Sequence, residues 1–440
     1  MKRSFPSDFV IGTASSCYQV EGAAFASGRE MTIWDEFVCV PGAIYAGENG
    51  NVSIDQYHRY KEDIALMKHF GFQSYRFSLS WGRIIRSDFS INKEGIAHYR
   101  SLAEELHKSG LTAVATLYHW DLPLYIQKKG GWENRETAYL FASYASTCFE
   151  LLGDVIDMWI TLNEPWCSVY QGYYYGEHAP GRVKDINAIG SVAHHLNLAH
   201  GLAVKAYRRT KLKAPIGISL NILSDKASGS VLDKEALETT QFDIDSGIFA
   251  YPVFKGYYPE TLKNVGISIP IQEGDLKIIS EKIDFYGLNY YHEDLIERSD
   301  EFPFSKKAPM YYDVTSMNWP IVPSGLKHLL EKMEAISGGV DVYVTENGAA
   351  FDDELTCDKR IHDKRRIEFI KAHLNACLDA ISSGVHLKGY YLWTFIDNFE
   401  WAWGYSKRFG VIYTDYSTLE RIPKDSAYYM MSINSERAID

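Results

Sequence analysis

The sequence predicts an α/β protein folded as one closed (β/α)₈ barrel, on three observations: eight short apolar runs, helical segments between them, and no break along 440 residues. The first run, Phe9–Gly12, is not followed by a glycine-rich phosphate turn, which argues against the alternative of an open doubly wound sheet. A helix over His58–Phe70, stopped by Gly71, leads to the second run, Ser74–Ser80. The third, Ala113–Leu117, precedes a helix over Asn134–Leu152 that Gly153 ends, since glycine accepts the left-handed cap conformation. Met158–Leu162 is the fourth run and the helix Asn187–Arg209 follows it. Ile216–Asn221 and Ile283–Asn289 are the fifth and sixth, and the polar stretches at 222–240 and 294–316 read as long loops after them. Val342–Thr345 is the seventh; a helix over Asp363–Ser383, stopped by Gly384, separates it from Gly389–Trp393, the eighth. Alternation of such runs with helices is the sequence form of repeated βα units. With no Pro-, Gly- or Ser-rich linker, residues 1–440 are expected to form a single domain, its active site at the C-terminal ends of the strands.

Composition narrows the partners. The chain has 45 Lys and Arg against 57 Asp and Glu, a net charge of −12, and no basic face that could release counterions from a nucleic acid or meet an anionic membrane. Cys17, Cys39, Cys148, Cys167, Cys357 and Cys377 are scattered, without a C-x-x-C pair, and read as free thiols of a reducing compartment. Near the N-terminus only Phe9–Ile11 is continuously apolar, too short for a signal-peptide core, and no apolar stretch is long enough to span a membrane. A cytoplasmic protein acting on a small molecule is expected, with no metal or cofactor; oligomeric state leaves no mark in the sequence.

Two glutamates stand directly after apolar runs. Glu164 ends Met158-Trp-Ile-Thr-Leu-Asn-Glu-Pro165 and Glu346 ends Val342-Tyr-Val-Thr-Glu-Asn-Gly348. A carboxylate among aromatics at a strand end is poorly solvated, a cost seldom kept without a use. Either residue could instead cap a helix or pair with a rim arginine, but two in matching contexts weaken that reading. Thr161-Leu-Asn-Glu-Pro165 and Val344-Thr-Glu-Asn-Gly348 resemble the acid/base and nucleophile motifs of family 1 glycoside hydrolases, the bacterial-like β-glucosidase type. Further matches run the length of the chain: Tyr18-Gln-Val-Glu-Gly22, Tyr75-Arg-Phe-Ser78, Thr116-Leu-Tyr-His-Trp-Asp-Leu-Pro123, His178-Ala-Pro-Gly181, Asn289-Tyr-Tyr291 and Asp397-Asn-Phe-Glu-Trp401.

The resemblance implies a retaining β-glycosidase that removes terminal β-D-glucosyl residues, with β-galactosyl and β-fucosyl left open, by double displacement through a covalent glycosyl-enzyme. Glu346 would attack the anomeric carbon while Glu164 protonates the departing oxygen, then acts as base towards water. Arg76 would hold Glu346 ionised, Tyr291 would donate a hydrogen bond to it, and Asn163 would bind the sugar 2-hydroxyl. A pyranose shows hydroxyls at its edge and apolar C–H faces, so its site needs polar groups and aromatic platforms. The resemblance assigns Gln19, His119, Asn163, Glu400 and Trp401 to the hydroxyls, Trp393 to the floor and Phe409 to the same sugar site. Trp166, Tyr170, His178, Asn221 and Trp319 would line the leaving-group side. Of the aromatics between Tyr390 and Tyr413, Tyr390 and Phe395 are read as core. His119 and Asp121 could hold a metal, but no second His/Asp set has ligand spacing; His194, His195 and His200 lack the i, i+4 pattern and read as structural.

Two alternatives compete. A 6-phospho-β-glycosidase shares both glutamates but places Ser where Glu400 stands, with Lys and Tyr after it; here Lys407 is present and Phe409 replaces the tyrosine. A carboxylate beside a phosphodianion is strongly unfavourable in a closed site. A non-catalytic sugar-binding barrel would need the aromatics but neither glutamate. Cys17 and Gln56 depart from the family pattern and are expected to affect loop packing or inhibitor sensitivity at most.

Overall fold

In the computed structural model, which describes residues 2–183, 186–229, 231–309 and 312–440, eight parallel strands close into a barrel. They are β1 (Val10–Ala14), β2 (Ser74–Ser78), β3 (Thr112–Tyr118), β4 (Met158–Asn163), β5 (Ile216–Asn221), β6 (Phe285–Asn289), β7 (Asp341–Asn347) and β8 (Leu387–Trp393). Each hydrogen-bonds to its neighbours in sequence, and β8 returns to β1 with Gly389 opposite Val10 and Trp393 opposite Ala14. All eight coincide with the apolar runs, because a strand covered by helices outside and side chains inside has no face on which polar residues would be solvated.

One helix flanks the barrel after each strand: α1 (Gln56–His69), α2 (Lys93–Ser109), α3 (Glu136–Leu152), α4 (Ile186–Arg208), α5 (Ile248–Lys255), α6 (Pro323–Ser337), α7 (Lys364–Ser382) and α8 (Asp425–Glu436). Inside the lumen, Ala14, Val114, Met158, Ile160, Phe285 and Tyr391 form a cluster that continues upward into Trp393 and Phe409. The lumen is therefore packed below and opens at the strand C-terminal ends. Among the described residues no helix is long and apolar enough to cross a membrane.

The stretches at 222–240 and 294–316 are not plain loops, contrary to expectation. Ser224–Ala227, Glu293–Arg298 and Ser305–Lys307 pair into a three-stranded sheet, and Lys234–Phe242 is helical. These strands are short, charged and half-exposed, so they lack the apolar runs by which the barrel strands are read. The sheet stands over the barrel mouth.

Register irregularities fall on the strands that carry carboxylates. The β4–β5 register shifts between Ile160 and Asn163, and β7 shifts against β6 and against β8 between Val344 and Glu346 or Asn347. Such bulges turn a side chain away from the regular in-and-out alternation, a use they often have beside active sites.

Candidate active site

The bulge on β4 delivers Glu164 to the barrel mouth with a left-handed backbone, φ 45°. Trp120 (φ 74°) and Trp401 (φ 47°), which also line the cavity, share that conformation. For non-glycine residues each costs on the order of 1–3 kcal/mol and persists only where the surroundings enforce it.

Arg76 lies mid-way along β2, fully buried in the lumen. Its guanidinium reaches three other strands: Nε donates to Thr116 on β3 (3.2 Å), one terminal nitrogen to Asn163 on β4 (2.5 Å), the other to Glu346 Oε1 (2.5 Å) and the Thr345 carbonyl (3.0 Å) on β7. Tyr291, just beyond β6, donates its hydroxyl to Glu346 Oε2 at 2.6 Å. Both Glu346 oxygens thus accept from strong donors, one of them cationic. Glu164 meets weaker company: Asn289 Nδ2 at 2.8 Å on one oxygen and the Cys167 thiol at 3.3 Å on the other.

These surroundings separate two identical functional groups. Burial, followed by the nearby Glu346 carboxylate, raises the Glu164 pKa to about 8. Burial pushes Glu346 upward too, but Arg76 and Tyr291 favour its charged form, so Glu346 loses its proton first. The charge of its partner is the smaller cause of the Glu164 shift; burial is the larger. Glu400 is likewise raised to about 8, by burial and then by Glu346 and Glu164.

The two glutamates open onto a cavity of about 620 Å³, within the range of small-molecule sites. His119, Trp393, Glu400, Trp401 and Phe409 form its inner wall. The His119 ring lies near-parallel to both Trp393 (5.9 Å, 21°) and Trp401 (6.1 Å, 17°), and burial keeps it neutral. Its Nε2 meets the Asn163 amide at 3.1 Å, while Asp121 receives the Cys17 thiol instead. Gln19 and Asn163, expected to touch the sugar, sit one layer behind this wall. Gln19 Nε2 donates to the Phe399 carbonyl (2.9 Å) and to Glu400 (3.3 Å), and Asn163 is held between Arg76 and His119.

Trp166, His178, Asn221 and Trp319, read from the sequence as the leaving-group side, line the same cavity. Tyr170 does not: it is fully buried, stacks under Trp166 (5.2 Å, 25°) and donates to the Ile244 carbonyl, so it supports the platform without reaching the opening. Tyr390 and Phe395 are core, and His194, His195 and His200 bond to Asp275, the Trp132 carbonyl and Thr161. Cys17 receives no part of the catalytic pair, and Gln56 bridges Tyr75 and Asp63.

Four contributors escaped the sequence reading. Asn289 links both halves of the site, donating to Glu164 and to Asn163 (3.1 Å) while accepting from Thr345 and Ser219. Trp120 fixes the Asn163 carbonyl through Nε1 (3.0 Å), Cys167 contacts Glu164, and Asp245 holds Trp166 Nε1 at 3.1 Å. Asn289 and Trp120 lie inside matched motifs, which marked their neighbourhood but not their bonds; nothing in the sequence singles out Cys167 or Asp245.

The family model described as glycosyl hydrolase family 1 matches residues 1–439. Beta-glucosidase A of Acetivibrio thermocellus is 42% identical over 442 residues, covering 98% of each chain. Beta-glucosidase A of Thermotoga maritima is 42% identical over 444 residues, covering 100% of this chain and 99% of that one. A solved structure of the Thermotoga maritima beta-glucosidase in complex with deoxynojirimycin superposes with a TM-score of 0.95 at 40% identity, covering both chains completely.

Proposed function

We infer that this chain, which belongs to glycosyl hydrolase family 1, is a β-glucosidase that removes terminal β-D-glucosyl residues with retention of configuration. The observation that carries the reading is the unequal solvation of the two glutamates: one paired with a guanidinium and a phenol, the other kept protonated to about pH 8. In the first step an ionised Glu346 oxygen forms a bond to the anomeric carbon as the glycosidic C–O bond breaks, and Glu164 gives its proton to the departing oxygen. The ester has no negative charge, so the carboxyl group of Glu164, now ionised, loses its repulsive neighbour. It then takes a proton from water as the water oxygen attacks the anomeric carbon and Glu346 leaves. Asn289 contacts Glu164 and Asn163 together, which keeps the donor aligned with the sugar-side polar groups.

The names of the similar chains support glucose as the sugar, and the deoxynojirimycin held by the Thermotoga maritima protein supports a small-molecule site. An unphosphorylated sugar is supported by Glu400 on the wall and by Lys407, whose ammonium donates to the Ser316 carbonyl (2.6 Å) and sits over the Trp403 ring. Residues 1–440 act as one catalytic unit, a proposal supported by a barrel that needs both β1 and β8 to close. A cytoplasmic location is supported by six unpaired cysteines.

Hydrolysis of p-nitrophenyl β-glucoside followed by proton NMR tests the reading. The β-anomer of glucose should appear first and mutarotate later. Initial release of the α-anomer, or faster turnover of the 6-phosphate of the same substrate, would overturn it.

A further inference from the structure

The outer wall of the cavity has a composition that bond cleavage does not require. It is built from the small sheet over the mouth and from the helical segment Asp243–Gly247 beside it, and carries Asp225, Asp245 and Asp294, with Glu177 at the rim, against Lys306 and Lys307. Lys307 is taken up by Asp294 at 2.7 Å, and Lys306 is solvent-exposed, where water and salt screen it. Burial keeps His292, on the same wall, neutral down to about pH 4. Asp225 and Asp245 form no salt bridge with a described residue; Asp245 is buried and Asp225 half-buried against the cavity, and burial raises both pKa values, so a cation seated between them would favour their ionised forms.

Three amide oxygens on this wall lack a donor as well. Gln241 is 3% exposed; its Nε2 is spent on Asp245, and its Oε1 has no partner. Asn221 Oδ1 and Gln171 Oε1, on the same surface, also lack a donor. Buried acceptors left unpaired are costly, and a ligand that supplies donors relieves the cost. A hydroxyl brings one donor and two lone pairs of its own, whereas an ammonium brings three donors, no acceptor and a positive charge. Trp166, fixed through Nε1 to Asp245, adds an aromatic face to which a cation is attracted.

Resting on the glucosidase reading of the inner site, we propose that the outer cavity selects a leaving group bearing a protonated amine, as an amino sugar does, over its neutral hydroxylated counterpart. The matched pair is β-D-glucosyl-(1→4)-glucosamine and cellobiose, assayed at neutral pH and low salt. The amine-bearing disaccharide should show kcat/KM at least about tenfold higher, and the ratio should fall towards one in Asp225→Asn, read as a ratio within one variant so that any general loss cancels. Sulfur-linked versions of both disaccharides, which resist cleavage, should show the same preference in Kd by calorimetry. Equal constants for the pair, or a ratio unchanged in Asp225→Asn, would overturn the proposal. Failure to hydrolyse p-nitrophenyl β-glucoside would count against the glucosidase reading, while the Kd comparison would still decide this one.

Discussion

Glu164 and Glu346 show how far neighbours determine what a carboxyl group does. Replacing Glu346 with glycine removes the attacking oxygen, and kcat is expected to fall on the order of 10⁴–10⁶-fold. Azide supplied to Glu346→Gly should restore part of the turnover by attacking from the vacated space. Tyr291→Phe removes one hydrogen bond to a charged group, about 1.5–3 kcal/mol, so kcat/KM should drop roughly 10–100-fold while Arg76 still holds the other oxygen. With Glu164 protonated up to about pH 8, kcat/KM should decline on the alkaline side around that pH. A pH–rate profile of p-nitrophenyl β-glucoside hydrolysis locates this limb. Glu400 adds a stability effect. Its folded-state pKa, about 8, lies above its unfolded value of about 4.5, so the folded chain holds the extra proton between these values and stability falls as pH rises through that window. Glu400→Gln cannot ionise, and its melting temperature relative to the natural chain should therefore rise from pH 5 to pH 8, by roughly 1–3 °C.

At the scale of elements, the site depends on how the tips of β7 and β8 approach. A Cβ on Gly348, the residue after β7, would lie 1.6 Å from the Trp393 carbonyl oxygen at the end of β8. Gly348→Ala must push the two tips apart, carrying Glu346 and Trp393 with them. Overpacking of this kind costs about 1–3 kcal/mol, and a displacement near 1 Å at the reacting groups costs roughly 100-fold in rate. Reduced kcat/KM and melting temperature with an unchanged far-UV circular dichroism spectrum is the expected result. The eight barrel strands and their helices were legible because burial on both faces forces continuous apolar runs, and Gly71 and Gly384 punctuate the helices with left-handed backbones; Gly153 ends its helix where expected but with a right-handed backbone, φ −65°, so its stop does not depend on glycine's freedom. The sheet over the mouth was not legible: Ser224-Asp-Lys-Ala227 and Ser305-Lys-Lys307 are polar strands whose pairing is set by long-range contacts. The same limit applies to the site. Motifs located Glu164, Glu346, Arg76 and Tyr291, whereas the parts played by Asn289 and Asp245 follow from partners 125 and 79 positions away.

The molecule as a whole is closed by contacts distant in sequence, β1 with β8 and the short strand Arg3–Ser4 with Ala438–Ile439. Such topologies fold slowly, because long loops must be ordered before the final pairing rewards them. In refolding from denaturant, far-UV circular dichroism should recover before hydrolysis does; coincident recovery would show that closure is not the late step. The barrel also separates the reacting groups along the chain, with the proton donor on β4 and the attacking group on β7. At translation rates of 5–20 residues per second, roughly 10–40 s pass between their synthesis. A nascent chain that has emerged only through β6 displays a pocket wall and an acid with nothing to attack the sugar. Hydrolysis therefore cannot begin before the strand that carries Glu346, and the β8 that closes the barrel behind it, have been made.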